Sequence, residues 1–223
     1  MLPKQKYIQI TRCNHSGFTL LELAIVLFIV ALLTGGVLVP LGQRMNQQYL
    51  QNTQAVLEEA KEGLLGYAVL NGHFPCPAND ENGIADASLC SASETQEGFI
   101  PWSDLGVGRY DGWGNTLRYR VDKVFTTDET TIVSQNFIGS SNLTIYNVVN
   151  NKIAGDNNTI VAVVFSVGKN GIADKTNVVG GTNAHYTQDE QNPEAGFDDR
   201  LIWISNNVLA SRWVMSGRAT VTP

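Results

Sequence analysis

Residues 16–40 read SGFTLLELAIVLFIVALLTGGVLVP, and this apolar stretch determines the structure expected at the amino-terminal end. From Phe18 to Val39 the only charged side chain is that of Glu22. A run of about 20 apolar residues is long enough to cross the hydrocarbon core of a bilayer as one α-helix. Residues 18–40 are therefore predicted to form a membrane-spanning helix.

The residues before this stretch are basic. Lys4, Lys6 and Arg12 carry the formal charges of residues 1–17, and basic residues beside a membrane span stay on the cytoplasmic side. The predicted orientation is a cytoplasmic amino terminus and an exported remainder. A secretory signal peptide is the alternative, but its small-residue cleavage site follows the apolar region, whereas this apolar run continues into Pro40.

The start of the apolar stretch carries a known motif. Residues 16–22, S-G-F-T-L-L-E, resemble the G-F-T-L-x-E processing site of type IV prepilins and type II secretion pseudopilins. The resemblance implies that a prepilin peptidase removes residues 1–17 as a leader, cutting after Gly17, and methylates the new amino terminus at Phe18. It also implies assembly with other pilin or pseudopilin subunits on an inner-membrane platform. The implied location is the bacterial inner membrane, with a periplasmic head, and then a periplasmic or cell-surface filament.

Glu22 is the unusual residue of the apolar stretch. A carboxylate inside a membrane span costs on the order of 3 kcal/mol, so we expect it to have a partner. Similarity to pilins implies that the partner is the Phe18 amine of a neighbouring subunit, which neutralises a desolvated charge and sets the register of the polymer. The alternative is that Glu22 lies near the cytoplasmic interface and snorkels to the headgroups without any partner.

The remainder of the chain is predicted to be a helix followed by a β-rich head. Apolar residues at helical spacings continue the helix over residues 41–71, and Asn71-Gly72 supplies its stop signal. Residues 72–223 form the head, for which the pattern predicts strands at 117–121, 143–149, 160–167 and 201–205. A turn at 155–158 joins the middle two as a hairpin, and Asn206 or Asn207 caps a final helix. The predicted class is α+β, with a pilin-like long helix packed on a small antiparallel sheet.

The cysteines predict one disulfide bond. Cys13 lies in the leader, which leaves Cys76 and Cys90 as a pair. Such bonds persist in oxidising compartments such as the periplasm. The alternative is two buried free thiols.

Two further motifs resemble segments of major pseudopilins. Residues 111–115, D-G-W-G-N, resemble a turn of that family, and residues 166–171, S-V-G-K-N-G, resemble the start of its calcium-binding loop. Asn170 stands where the family usually has Asp. Calcium takes six to eight oxygen ligands, and the predicted ligands are loop carbonyls together with Asn170, Asp174, Asp198 and Asp199. A solvated acidic loop is the alternative.

The predicted function is that of a structural filament subunit, major or minor, and not of an enzyme. One alternative is a minor pilin with a ligand-binding or adhesive tip, and another is a membrane-anchored enzyme. The net charge of −6 argues against nucleic acid as the main ligand. Ser166, His185 and Asp198 are the residue types of a hydrolase triad, but no motif that would order them surrounds them.

Overall fold

The computed structural model describes residues 17–91, 95–127, 141–156, 159–182, 184–188 and 196–218, without the side chains of 35–41. The predicted leader, apart from Gly17, and Cys13 lie outside the described residues. The chain forms two compact units, Met1–Asn46 and Gln47–Pro223. Helix α1, Leu20–Asn71, begins in the first unit and ends in the second.

Of the first unit, the structure describes residues 17–19 and the amino-terminal part of α1. The helix begins after Thr19, whose hydroxyl accepts a hydrogen bond from the backbone N–H of Glu22 at 3.2 Å, as a capping residue does. Large apolar side chains such as Leu20 and Phe28 are exposed on all sides of this part of the helix. In the part of the chain that the structure describes, no helix combines the length and the hydrophobicity that a membrane span requires.

The second unit contains two sheets. The first is antiparallel, with the strand order β1-β2-β5-β7, and comprises β1 (Gly98–Phe99), β2 (Arg118–Val121), β5 (Ile160–Ser166) and β7 (Arg200–Ser205). The second has the order β4-β3-β6 and comprises β3 (Thr144–Tyr146), β4 (Lys152–Ala154) and β6 (His185–Thr187). Short helices are α2 (Trp102–Leu105), α3 (Asn206–Met215) and the 3₁₀ turns Ala87–Cys90 and Lys123–Thr126.

The core lies on both faces of the first sheet. Residues of α1 at helical spacing are fully buried on one face, among them Leu57 and Leu64. With residues of α3 and β5 they form the helix cluster. Val163 and Phe165 of β5 point to the other face and join Ile145 of β3 in the sheet cluster. All seven residues of β5 are buried, because each face of this central strand is covered.

The α+β class is confirmed, but the predicted hairpin is wrong. β3 pairs with β4 and β6, whereas β5 pairs with β2 and β7, so the segments 143–149 and 160–167 belong to different sheets. The tight turn lies at 147–151, where the backbone N–H of Asn150 donates to the carbonyl of Asn147 at 2.9 Å. Gly155 instead lies directly against the start of β3, where a Cβ would overlap the backbone of Leu143 and Thr144.

Two further details differ from the prediction. β3 is parallel to β6, so the second sheet is mixed and not purely antiparallel. The cap of α3 is Ser205, whose hydroxyl accepts from the N–H of Val208 at 3.4 Å. Asn206 is buried next to this cap, and its backbone N–H donates to the Thr159 carbonyl at 2.8 Å. It therefore extends the pairing of β5 with β7 by one hydrogen bond and does not cap the helix.

Cys76 and Cys90 are joined in the structure, with Cα atoms 5.9 Å apart. We expect the exported, processed protein to resist thiol alkylation without a reductant and to gain two alkyl groups after reduction, measured by intact mass. Closing a ring of about 15 residues stabilises a fold by about 3 kcal/mol in the chain-entropy model. The double variant Cys76→Ser, Cys90→Ser should therefore melt at a lower temperature. Alkylation of both thiols in unreduced protein would reject the bond.

Candidate functional site

The loop after β5 turns sharply against the segment before β7. Gly168 has a φ of 65°, in the left-handed region that favours glycine. A Cβ at this position would overlap the backbone of Asp198. Glycine at 168 therefore lets two distant segments of the chain meet, and the candidate site lies where they meet.

The D-G-W-G-N turn supports this loop. One carboxylate oxygen of Asp111 accepts the backbone N–H groups of Trp113 and Asn115 at 2.9 and 2.8 Å, which closes the turn. Its other oxygen accepts from the hydroxyl of Ser166 at 2.5 Å. The amide of Asn115 donates to the Gly168 carbonyl at 2.6 Å. The two motifs singled out in the sequence thus form one hydrogen-bonded structure.

The same turn is fixed to α1. The backbone N–H of Gly112 donates to the hydroxyl of Thr53 at 2.9 Å, and Thr53 is fully buried. A Cβ at Gly112 would overlap the Tyr49 carbonyl, so the turn packs directly on the helix backbone. The candidate loop is therefore built on the helix through a chain of buried polar contacts.

Three carboxylates converge beside this loop. Asp174, Asp198 and Asp199 each offer one oxygen, and these oxygens lie within 4.8 Å of one another. Each carboxylate also accepts a backbone N–H through Oδ2: Asp174 from Asp198 at 2.9 Å, Asp199 from Asp174 at 2.8 Å, and Asp198 from Asn170 at 2.9 Å. The three side chains are held in place by the backbone of their own cluster.

The remaining oxygens of two carboxylates are unsatisfied. Oδ1 of Asp198 and Oδ1 of Asp199 are buried and have no hydrogen-bond partner among the described residues. Burial, followed by the nearby charges of Asp174 and Asp198, raises the pKa of Asp199 to about 7 against the hydrogen bonds from Asp174 and Asn177. Burial also raises the pKa of Asp198. Carboxylate oxygens are the hard ligands that a divalent cation such as Ca²⁺ prefers, and a bound cation would contact the two oxygens that have no hydrogen-bond donor among the described residues.

Asn170 is placed differently from the three acids. Its backbone N–H contacts Asp198, but its side-chain oxygen accepts from the N–H of Ile172 at 2.7 Å. The structure therefore gives that oxygen a role in a local turn, and Asn170 contributes to the cluster through its backbone.

A residue that the sequence did not single out also belongs to the site. Asn177 is fully buried and donates through Nδ2 to Oδ2 of Asp199 at 2.9 Å. Nothing in the local sequence marks it, because its partners lie far along the chain.

The far end of the loop is also anchored. The backbone N–H of Glu97 donates to the Gly181 carbonyl at 2.8 Å. The side-chain carboxylate of Glu97 accepts a hydrogen bond from the backbone N–H of Gly180. Arg118 pairs with Glu97 through two hydrogen bonds of 2.5 and 2.8 Å, and both residues are buried. A buried and bidentate pair of this kind holds its segment in one geometry.

The residue types of a hydrolase triad have separate partners. Ser166 donates to Asp111, the ring Nδ1 of His185 lies 2.5 Å from the hydroxyl of Thr144, and Asp198 belongs to the carboxylate cluster. Each of the three side chains therefore contacts a different partner, and they do not form a triad with one another.

The motif at the amino terminus is exposed. Gly17 and Phe18 precede the first residue of α1 and have no helical structure, and Phe18 is 78% exposed. A Cβ at Gly17 would meet nothing within 4 Å. Glu22 is exposed in the first turn of α1. An exposed Gly17–Phe18 bond outside the helix suits a peptidase.

Residues 12–38 match the family model of the prokaryotic N-terminal methylation motif. This is the type IV pilin and pseudopilin signature. Gly17, Phe18 and Glu22 all lie within the matched residues. The pilin motif implies processing by a prepilin peptidase and polymerisation with other pilins. Comparison with curated proteins and with solved structures found no match.

Proposed function

We propose that the chain is a structural subunit of a type II secretion pseudopilus or a type IV pilus. A prepilin peptidase cuts it after Gly17 and methylates Phe18, and residues 18–40 hold it in the inner membrane until it is assembled. The methylation motif at residues 12–38 is the observation that carries this proposal.

The apolar side chains of the first unit support a role in assembly. Leu20, Leu21 and Phe28 are 89%, 71% and 65% exposed. Fully burying one such side chain gains roughly 1.5–3 kcal/mol, so a helix that presents many of them is stable only in an apolar environment. The bilayer supplies that environment before assembly, and neighbouring subunits supply it in the filament. The Phe18 amine of one subunit then pairs with Glu22 of another.

We further propose that Asp174, Asp198 and Asp199 bind Ca²⁺, with loop carbonyls and the Asn170 segment completing the site. The buried oxygens of Asp198 and Asp199 that lack partners support this proposal, because an added cation satisfies both. The loop also favours the pseudopilus of the two filaments, since this loop and the D-G-W-G-N turn both resemble segments of major pseudopilins.

Processing provides a direct test of the proposed function. Coexpressed with a prepilin peptidase, the chain should give a mature form that begins at Phe18 and carries one extra methyl group on its amine. Intact mass spectrometry of the membrane fraction measures both changes. The variant Gly17→Ala, which keeps the helix and the head, should remain uncut. A mature form that begins near Gly42 would contradict the proposal.

A further inference from the structure

We propose that Asn177 is a positioning residue of the metal site, which turns the carboxylate of Asp199 so that its Oδ1 faces the cation. The inference rests on the proposed binding of Ca²⁺ by Asp174, Asp198 and Asp199. Asn177 itself does not contact the metal and acts through Asp199.

The orientation of the Asn177 amide is fixed by its partners. Nδ2 donates to Oδ2 of Asp199 and to the carbonyl of Thr187, both at 2.9 Å, and Oδ1 accepts the N–H of Thr187 at 2.7 Å. A flipped amide would oppose donor to donor and acceptor to acceptor at all three contacts. Asn177 is fully buried, so water cannot replace a lost partner without entering the site.

This amide decides which oxygen of Asp199 is available. Oδ2 of Asp199 already receives the backbone N–H of Asp174 at 2.8 Å, and the Asn177 amide is the second donor to the same atom. Both donors lie on one oxygen, so the other oxygen is left for a cation. The terminal torsion of an aspartate is broad and roughly two-fold, so with fewer donors this carboxylate samples other orientations.

Asn177 also ties the loop to the sheet and to a second carboxylate residue. Its backbone N–H donates to the Asp174 carbonyl at 2.9 Å, which closes the turn that begins at Asp174. Thr187 belongs to β6 in the second sheet. One residue therefore holds Asp199 through its side chain and links the turn at Asp174 to strand β6. Partners of this kind behind a metal ligand orient it, as second-sphere hydrogen bonds do in other metal sites.

The test measures calcium affinity separately from stability. The full chain, purified in detergent micelles and freed of metal, is titrated with Ca²⁺ by calorimetry well below its melting temperature. Asn177→Ala should raise the dissociation constant for Ca²⁺ roughly 10- to 100-fold. If Asn177→Ala does not yield folded protein, Asn177→Ser gives the same comparison, because its hydroxyl is one bond shorter and leaves a smaller void.

The matched control removes a buried hydrogen bond away from the cluster. Tyr119 is fully buried, and its hydroxyl donates to the Pro75 carbonyl at 3.2 Å. Tyr119→Phe should lower the melting temperature while leaving calcium affinity unchanged. Wild-type affinity in the Asn177 variants, or an equal loss of affinity in Tyr119→Phe, would overturn the role of Asn177 and leave the calcium site standing. A wild-type chain that binds no Ca²⁺ would refute the site itself, and the inference with it.

Discussion

Glu22→Ala subunits are expected to reach the membrane in normal amounts and to be at least about tenfold depleted from filaments. Removing a charge from the apolar stretch makes insertion easier, by roughly 2.5–3.5 kcal/mol on insertion scales. The same change deletes the partner proposed for the Phe18 amine of the next subunit, which would then be buried without a counter-charge. Immunoblots of sheared filaments and of membranes from the same cells measure the two amounts.

Two further variants separate charge from helix structure. Glu22→Gln keeps the size of the side chain but not its charge, and it should fail as Glu22→Ala does. Thr34→Val removes a hydroxyl that donates to the Val30 carbonyl at 2.8 Å within the same helix, and it should assemble normally. Normal incorporation of Glu22→Ala would refute the pairing of Glu22 with the amine.

Calcium is expected to raise the melting temperature of the full chain by about 5–10 °C when its concentration is about 100 times the dissociation constant. A ligand at that concentration stabilises the folded state by about 2.7 kcal/mol, and 1 kcal/mol corresponds to roughly 2–4 °C for a chain of this size. The double variant Asp198→Ala, Asp199→Ala should fold and show no shift. Circular dichroism melts in detergent, with chelator or with millimolar calcium, measure the effect.

The control for the calcium experiment is a pair of acids outside the cluster. Asp80 and Asp156 are exposed, and Asp80→Ala, Asp156→Ala should retain the full calcium shift although it removes as much charge. Magnesium should stabilise the wild type less, because it demands a near-ideal octahedron and gives up its water reluctantly, whereas Ca²⁺ accepts six to eight oxygens in a flexible geometry. Melting curves that are identical with and without calcium would leave the loop as a solvated acidic turn.

The features that local sequence patterns encode were predictable. Helical spacing placed the second part of α1 to within a residue of its observed end at Asn71, and β5 and β7 lie where apolar runs between turn residues put them. Asp174, Asp198 and Asp199, which were named as candidate calcium ligands, come together in the structure, whereas calcium binding itself stays a prediction. For the helix and the two strands the signal lies in a short stretch of neighbouring residues.

The features that depend on distant pairing could not be predicted in the same way. β4 and β6 have three residues each, too few for an alternating pattern, and β6 pairs with β3 across about 40 residues of sequence. The hairpin prediction failed because neighbouring strands were assumed to pair, whereas β5 has both edges occupied by β2 and β7. Asn177 was missed for the same reason, since a buried amide is recognised only once its partners are known.

The central strand of the first sheet has a consequence for how the second unit unfolds. Some residues of β5 belong to the helix cluster and others to the sheet cluster, so opening either cluster exposes one face of the same strand. Because breaking either cluster exposes β5 and weakens the other, the two are expected to melt as one cooperative body. In the proposed filament, a pulling force would therefore meet a head that resists unfolding as a whole, with local fraying confined to the loops outside β5.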